Sequence, residues 1–217
     1  MSNGLVAQLY ESLLQTLYMV AVSSTVALVL GTLLGVILYG TGERSLWPQR
    51  AVNRILGAIV NATRSTPFII LMVAIIPFTR FIVHTSIGTS AAIVPLSVAA
   101  VPFFARLVEA ALREVDHGLI EAAQAMGASP RQIVFKVLLP EALPTILRGL
   151  TLTVISLISY SAMAGAVGGG GLGDLGIRYG YQRFDTEVML IVVAILIALV
   201  QIVQSAGDHL TARLQKK

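Results

Sequence analysis

A glutamate and two alanines (Glu121, Ala122, Ala123), a glycine at 127 and a proline at 140 stand in the stretch IEAAQAMGASPRQIVFKVLLPEALP, residues 120–144. Four of the chain's 26 charged residues and three of its eight prolines fall there. These types do no acid–base work at this spacing; they punctuate a backbone. Asp116 is placed to cap a short helix through Glu121-Ala122-Ala123, with Glu121 near its positive end. Gly127 supplies the left-handed residue that ends such a helix. Ser129-Pro130-Arg131-Gln132 is a capping box with proline at the first helical position, so a second short helix starts at once and ends where Pro140 arrives. Upstream, Glu109 and Arg113 pair at i, i+4 and extend the preceding helix. Alanines at 122, 123 and 125 leave a small apolar side suited to a partner's groove. The alternative is a helix pair lying on lipid headgroups, against which the lack of a large Leu/Phe/Trp face counts.

A second constellation is Thr153, Ser156, Tyr160 and Met163, at i, i+3, i+7 and i+10 on one stripe of a helix. Hydroxyls in an apolar setting want partners, so the stripe reads either as interhelical hydrogen bonding or as the wall of a path. The soft thioether of Met163 suits a gate. Ile155, Ile158 and Ala162 fall on other faces.

Other chemistry is excluded. With no cysteine there is neither a disulfide framework nor a thiolate metal site, and His84, His117 and His209 lie too far apart to share a metal. His84 reads as an interfacial loop residue. Gly171-Leu172-Gly173-Asp174-Leu175-Gly176 matches a dinucleotide fingerprint in letters only, because it follows an apolar helix and not a strand. Gly168–Gly173 reads as a tight backbone turn. No GxxxxGK[ST] exists, so this chain has no ATPase site, and no nucleophile–base pair points to an enzyme.

The elements that carry these residues belong in a bilayer. Apolar residues make up 56% of 217 and charged residues 12%, where soluble domains have about a quarter charged. The net charge of +4 sits in short segments between apolar runs, an orientation signal and not a nucleic-acid surface. Spans of about 20 apolar residues are expected near 12–40, 59–79, 87–105, 149–171 and 188–207, with a loop at 106–148. The fold is thus all-α: five transmembrane helices, with the punctuated loop between the third and fourth. Arg64 would snorkel at the end of the second span, which Pro67 and Pro77 kink or delimit. One side collects Arg44, Arg50, Arg54 and Arg64, then Arg106, Arg113, Arg131, Lys136 and Arg148, then Arg213, Lys216 and Lys217. The other receives Arg80, Arg178 and Arg183. Twelve against three puts the N-terminus outside, and the tail and the 106–148 loop in the cytoplasm. The opening residues lack a signal peptide's positive region and are expected to be retained. Gly31 and Gly35 form a GxxxG that favours packing within the chain over a dimer seam.

Glu121-Ala122-Ala123, Gly127, Val137 and Leu139-Pro140 together match the EAA signature of the membrane subunits of bacterial ABC importers, with Val137 in the usual isoleucine's place. RSTPFIILMVAIIPFTR (64–80), RLVEAALREVDHGLIEAAQAMGASP (106–130) and YSAMAGAVGGGGLGDLGIRYGY (160–181) narrow the resemblance to the permease subunit of methionine ABC importers, over most of the chain. The resemblance implies an inner-membrane permease with five spans that imports D- and/or L-methionine. It implies a coupling helix at Glu121, Ala122, Ala123, Gly127 and Pro140, and a homodimer with the path near Thr153, Ser156, Tyr160 and Met163. Its partners would be a second copy, two ATPase subunits that hold ATP and Mg, and an extracytoplasmic methionine-binding protein. No cofactor is expected in this chain. A permease for another small amino acid or solute is the first rival. An ion-coupled transporter is the second; such proteins use ionisable residues at membrane depth, and these spans have none apart from Arg64 near one end.

Overall fold

The computed structural model describes residues 3–43 and 45–215. Arg44, Lys216 and Lys217, three members of the basic asymmetry, lie outside the described residues. Every regular element among the described residues is helical. Helix α1 comprises Asn3–Val26, a π turn at Ala27–Gly31, and Thr32–Gly40. It starts more than two turns before the apolar stretch expected from residue 12.

The second span is not one helix. Helix α2 is Arg50–Ser65, α3 Phe68–Ala74 and α4 Ile76–Val83, and α2 meets α3 at 108°. Proline crowds the residue before it out of the helical region, so Thr66 is extended (φ −84°, ψ 125°) ahead of Pro67. Pro77 sits in the first turn of α4, where a missing N–H costs nothing. His84, left-handed at φ 58°, ends α4 in a loop.

Helix α5 (Thr89–Arg113) is the central stave, burying Leu96, Phe104 and Val108 completely. The GxxxG explains how α1 crosses it: a Cβ on Gly35 would come within 2.7 Å of the Ala105 carbonyl oxygen and Val108. The motif therefore packs within the chain. Helix α6 (His117–Ala125) is short, and α7 runs from Pro130 to Gly165. Helix α8 (Gly171–Leu175) continues into a π turn at Gly176–Tyr181, and α9 is Thr186–Gln215.

The expectation that the helix from Pro130 stops at Pro140 is corrected. A π turn at Val134–Leu138 precedes Pro140, which then stands in the first turn of the next helical segment, and Pro144 lies within it. The wider turn absorbs the bond that proline cannot donate, and the helix passes through unbroken.

Among the described residues four helices are long and apolar enough to cross a membrane: Gly4–Gly40, Thr89–Arg113, Pro130–Gly165 and Thr186–Leu214. The bent pair α2–α3 makes a fifth if counted as one broken span. Along α9, Leu190, Ile197 and Ile202 are each about three-fifths exposed, a face that only an apolar solvent stabilises. One end of the bundle is basic, with Arg54, Arg106, Arg113, Arg131 and Arg148. The other is the glycine end. There Gly168, Gly170 and Gly171 take positive φ, and side chains of α1 cap α8. Gly171 N–H donates to Gln15 Oε1 (2.8 Å) and Leu172 N–H to Thr16 Oγ1 (2.9 Å). Beyond that cap Arg178 pairs with Asp174 at 2.6 Å. Their hydrogen bond raises the Arg178 pKa above its ordinary value.

Candidate functional site

At the basic end, α6 and the foot of α7 make a knob whose geometry follows from local chemistry. Asp116 Oδ1 accepts from Gly118 N–H at 2.7 Å and starts α6. Gly127 at φ 78° ends it. Gly127 N–H donates to Gln124 O (2.9 Å) and Ala128 N–H to Ala123 O (3.0 Å), the paired bonds of a Schellman motif. Both halves of the capping box are present: Ser129 Oγ accepts from Gln132 N–H, and Gln132 Oε1 accepts from Ser129 N–H at 2.8 Å. Both turns of the chain are thus fixed by hydrogen bonds.

Glu121, Ala122, Ala123 and Gly127 come together on this knob, and they face different ways. Ile120 and Ala123 are buried against the bundle, while Glu121, Ala122 and Gly127 are exposed. Glu121 lies 3.6 Å from His117 Nε2. Pro140 is not part of the knob; it is exposed on α7, about 15 Å along the helix from its start. The knob also presents large apolar side chains that the small-residue reading missed. Met126 is 82% exposed, Phe135 70% and Leu119 44%. Met126 could have been noticed as the residue held outward by the glycine after it. Phe135 owes its exposure to the π turn, which leaves no signal in hydrophobic spacing.

Behind the knob a buried carboxylate on α5 helps tie that helix to α2. Glu109 is 3% exposed, and its two oxygens accept from Arg106 and Arg113 at 2.6 Å each. Arg106 Nη2 also donates to Asn61 Oδ1 (3.0 Å) and Gly57 O (3.2 Å) on α2. The last turn of α5, which leads into the knob, is thereby fixed to α2.

The stripe on α7 divides. Thr153 is buried, and its hydroxyl donates to Gly149 O at 2.8 Å. Ser156 is half-buried and donates to Leu152 O at 2.9 Å. Neither hydroxyl reaches another helix, so interhelical hydrogen bonding does not account for them. Tyr160 stacks on Phe68 of α3, with ring centroids 4.7 Å apart and planes 8° from parallel. Met163 is 39% exposed. Tyr160, Phe68 and Arg64 border a cavity of about 150 Å³. No cluster of side chains among the described residues could hold a metal ion.

Residues 27–216 match the family model described as "Binding-protein-dependent transport system inner membrane component". The "Probable D-methionine transport system permease protein MetI" of Vibrio cholerae is 60% identical over 203 residues, covering 94% of this chain and 90% of that one. The "Methionine import system permease protein MetP" of Bacillus subtilis is 45% identical over 181 residues, covering 83% and 82%. A solved structure, "Inward facing conformations of the MetNI methionine ABC transporter", superposes with a TM-score of 0.97 at 50% identity, covering 99% of both chains. Four or five spans, a doubly capped knob and a match over most of the length agree: the chain belongs to the family of binding-protein-dependent transport system inner membrane components.

Proposed function

We propose that this chain is the membrane-spanning subunit of an ATP-driven importer for methionine, of D or L configuration or both. The carrying observation is the knob. A short helix rigidly capped at both ends, joined by a four-residue turn (126–129) to a helix long enough to cross the membrane, is a handle for an external motor. The substrate rests on the relatives named for methionine transport, which align with nearly the whole chain.

In this reading α2 and α3 form the second of five spans, the basic end is cytoplasmic and the N-terminus lies outside. The chain pairs with a second copy, and each copy receives one ATPase subunit; an extracytoplasmic binding protein delivers methionine at the glycine end. Glu121, Ala122 and Gly127 meet the ATPase, with Met126 and Phe135 beside them, while Ala123 anchors the knob and Pro140 lies in the helix it drives. ATP and Mg act in the partner, where hydrolysis supplies the energy. This chain's part is mechanical: the knob moves with the motor, and α7 carries that displacement to Ser156, Tyr160 and Met163, which line the path and its gate. Thr153 backs the stripe from inside the chain.

The test is reconstitution with the ATPase and the binding protein in liposomes, following ATP-dependent uptake of D- and L-methionine against other amino acids. Preferential uptake of another solute would overturn the substrate. A reporter fused after Lys217 should be active only in the cytoplasm, and one inserted within 176–187 only outside; swapped activities would overturn the orientation.

A further inference from the structure

The cavity beside Tyr160 contains a cation that the coupling account does not use. Arg64 lies in the last turn of α2, and the break at Pro67 turns the chain so that this turn borders a crevice between α3, α5 and α7. Its guanidinium carbon lies 5.9 Å from the centroid of the Phe103 ring. Among the described residues no carboxylate pairs with it. Thr63, Thr66, Phe68, Phe103 and Tyr160 complete the walls of the 150 Å³ space, where a single water needs about 10–15 Å³.

Depth makes this placement informative. Tyr160 is twelve residues beyond Arg148, the last charge on α7, or about 18 Å along the helix. Phe103 is almost one turn above Arg106 on α5. The cavity therefore runs into the apolar slab from its charged end. An arginine without a carboxylate partner on the wall of such a cavity offers a grip for a passing anion.

The remaining walls narrow the class. The Thr63 and Thr66 hydroxyls donate to Ile59 O and Ala62 O of their own helix, so towards the cavity they offer lone pairs to which an ammonium donates. Phe68, Phe103 and Tyr160 give an aromatic wall, which suits a hydrocarbon or thioether. We infer that this cavity is a transient station for the zwitterion of the translocated amino acid, with Arg64 gripping the α-carboxylate on the cytoplasmic side of the gate. A guanidinium fork fits a carboxylate through two parallel bonds, which a lysine cannot reproduce. The station rests on the reading of the chain as an amino-acid permease. A lipid phosphate has the same anionic chemistry and is the competing occupant.

The test uses the permease–ATPase complex in zwitterionic nanodiscs, without ATP or binding protein, and measures binding of radiolabelled methionine. Arg64→Gln should weaken binding at least tenfold and slow uptake in liposomes, with Arg64→Lys intermediate. Arg54→Gln, an exposed arginine on the same helix, should match the wild type. Methioninol, which lacks the carboxylate, should fail to compete. Unaltered binding and uptake by Arg64→Gln, or competition by methioninol equal to that of methionine, would overturn the station. So would an anionic phospholipid retained by the wild type and lost from Arg64→Gln while methionine binding is unchanged. A wild-type complex that imports no methionine overturns the substrate reading together with the station; one that imports it while Arg64→Gln is unaffected overturns the station alone.

Discussion

Replacing Gly127 separates backbone strain from crowding. At φ 78° the residue occupies a conformation that L side chains rarely adopt, yet a Cβ built there meets nothing within 4 Å. The cost of a substitution is therefore conformational: about 1–2 kcal/mol for a residue with a Cβ, more for a β-branched one. That cost shifts the balance between the capped knob and a re-aimed one by a factor of roughly 5–30. The spans keep their packing, because no buried contact is lost. Gly127→Val should leave the subunit inserted and dimeric, weaken its hold on the ATPase and abolish uptake. Gly127→Asn should retain much of both, because asparagine tolerates the left-handed region. The assay is ATPase co-purification beside methionine uptake from the same membranes. Equal behaviour of Val and Asn would show that φ is not the cause. Normal uptake by Gly127→Val would reduce the knob to a helix pair resting on the headgroups.

Glu109→Ala leaves the partly buried Arg106 without its carboxylate, a loss on the order of 3 kcal/mol; the melting temperature of the purified subunit should fall by about 6–12 °C, and an unchanged melt would refute the tie between α5 and α2. Thr16→Val orphans the N–H of fully buried Leu172, at about 1–3 kcal/mol; amide exchange at the glycine end should accelerate while the knob stays protected. Single cysteines at Tyr160 and Met163, in a chain with none of its own, should cross-link between copies or react with a water-soluble thiol reagent; inert sites there beside reactive Ile155 and Ile158 would turn the path to another face.

Local chemistry was readable without coordinates. Asp116, Gly127 and Ser129 each act on backbone groups within three residues, so their roles follow from their neighbours alone. Orientation was less readable. The stripe from Thr153 to Met163 spreads over about 80° of helix circumference, enough to turn its first member into the core and its last outward. Ala122 and Ala123 differ by one residue and face opposite surroundings, which only the docked bundle decides. The break before Pro67 was expected, but its 108° angle depends on how α2 is bound to Arg106. Pro140 misled because proline's missing bond was counted without the wider turn ahead of it.

The unbroken run from Pro130 to Gly165 bears on timing. At 1.5 Å per residue it is a single body about 54 Å long, with the docking surface at its foot and Tyr160 and Met163 near its head. No break in the helix stands between the two, so on the proposed function motor and gate stay in phase to within the time one packed helix takes to settle. Collective motions of this kind take microseconds to milliseconds. On the proposed function, a cycle slower than that is paced elsewhere, by arrival of the loaded binding protein or by events at the nucleotide, and this chain sets the order of events and not their rate.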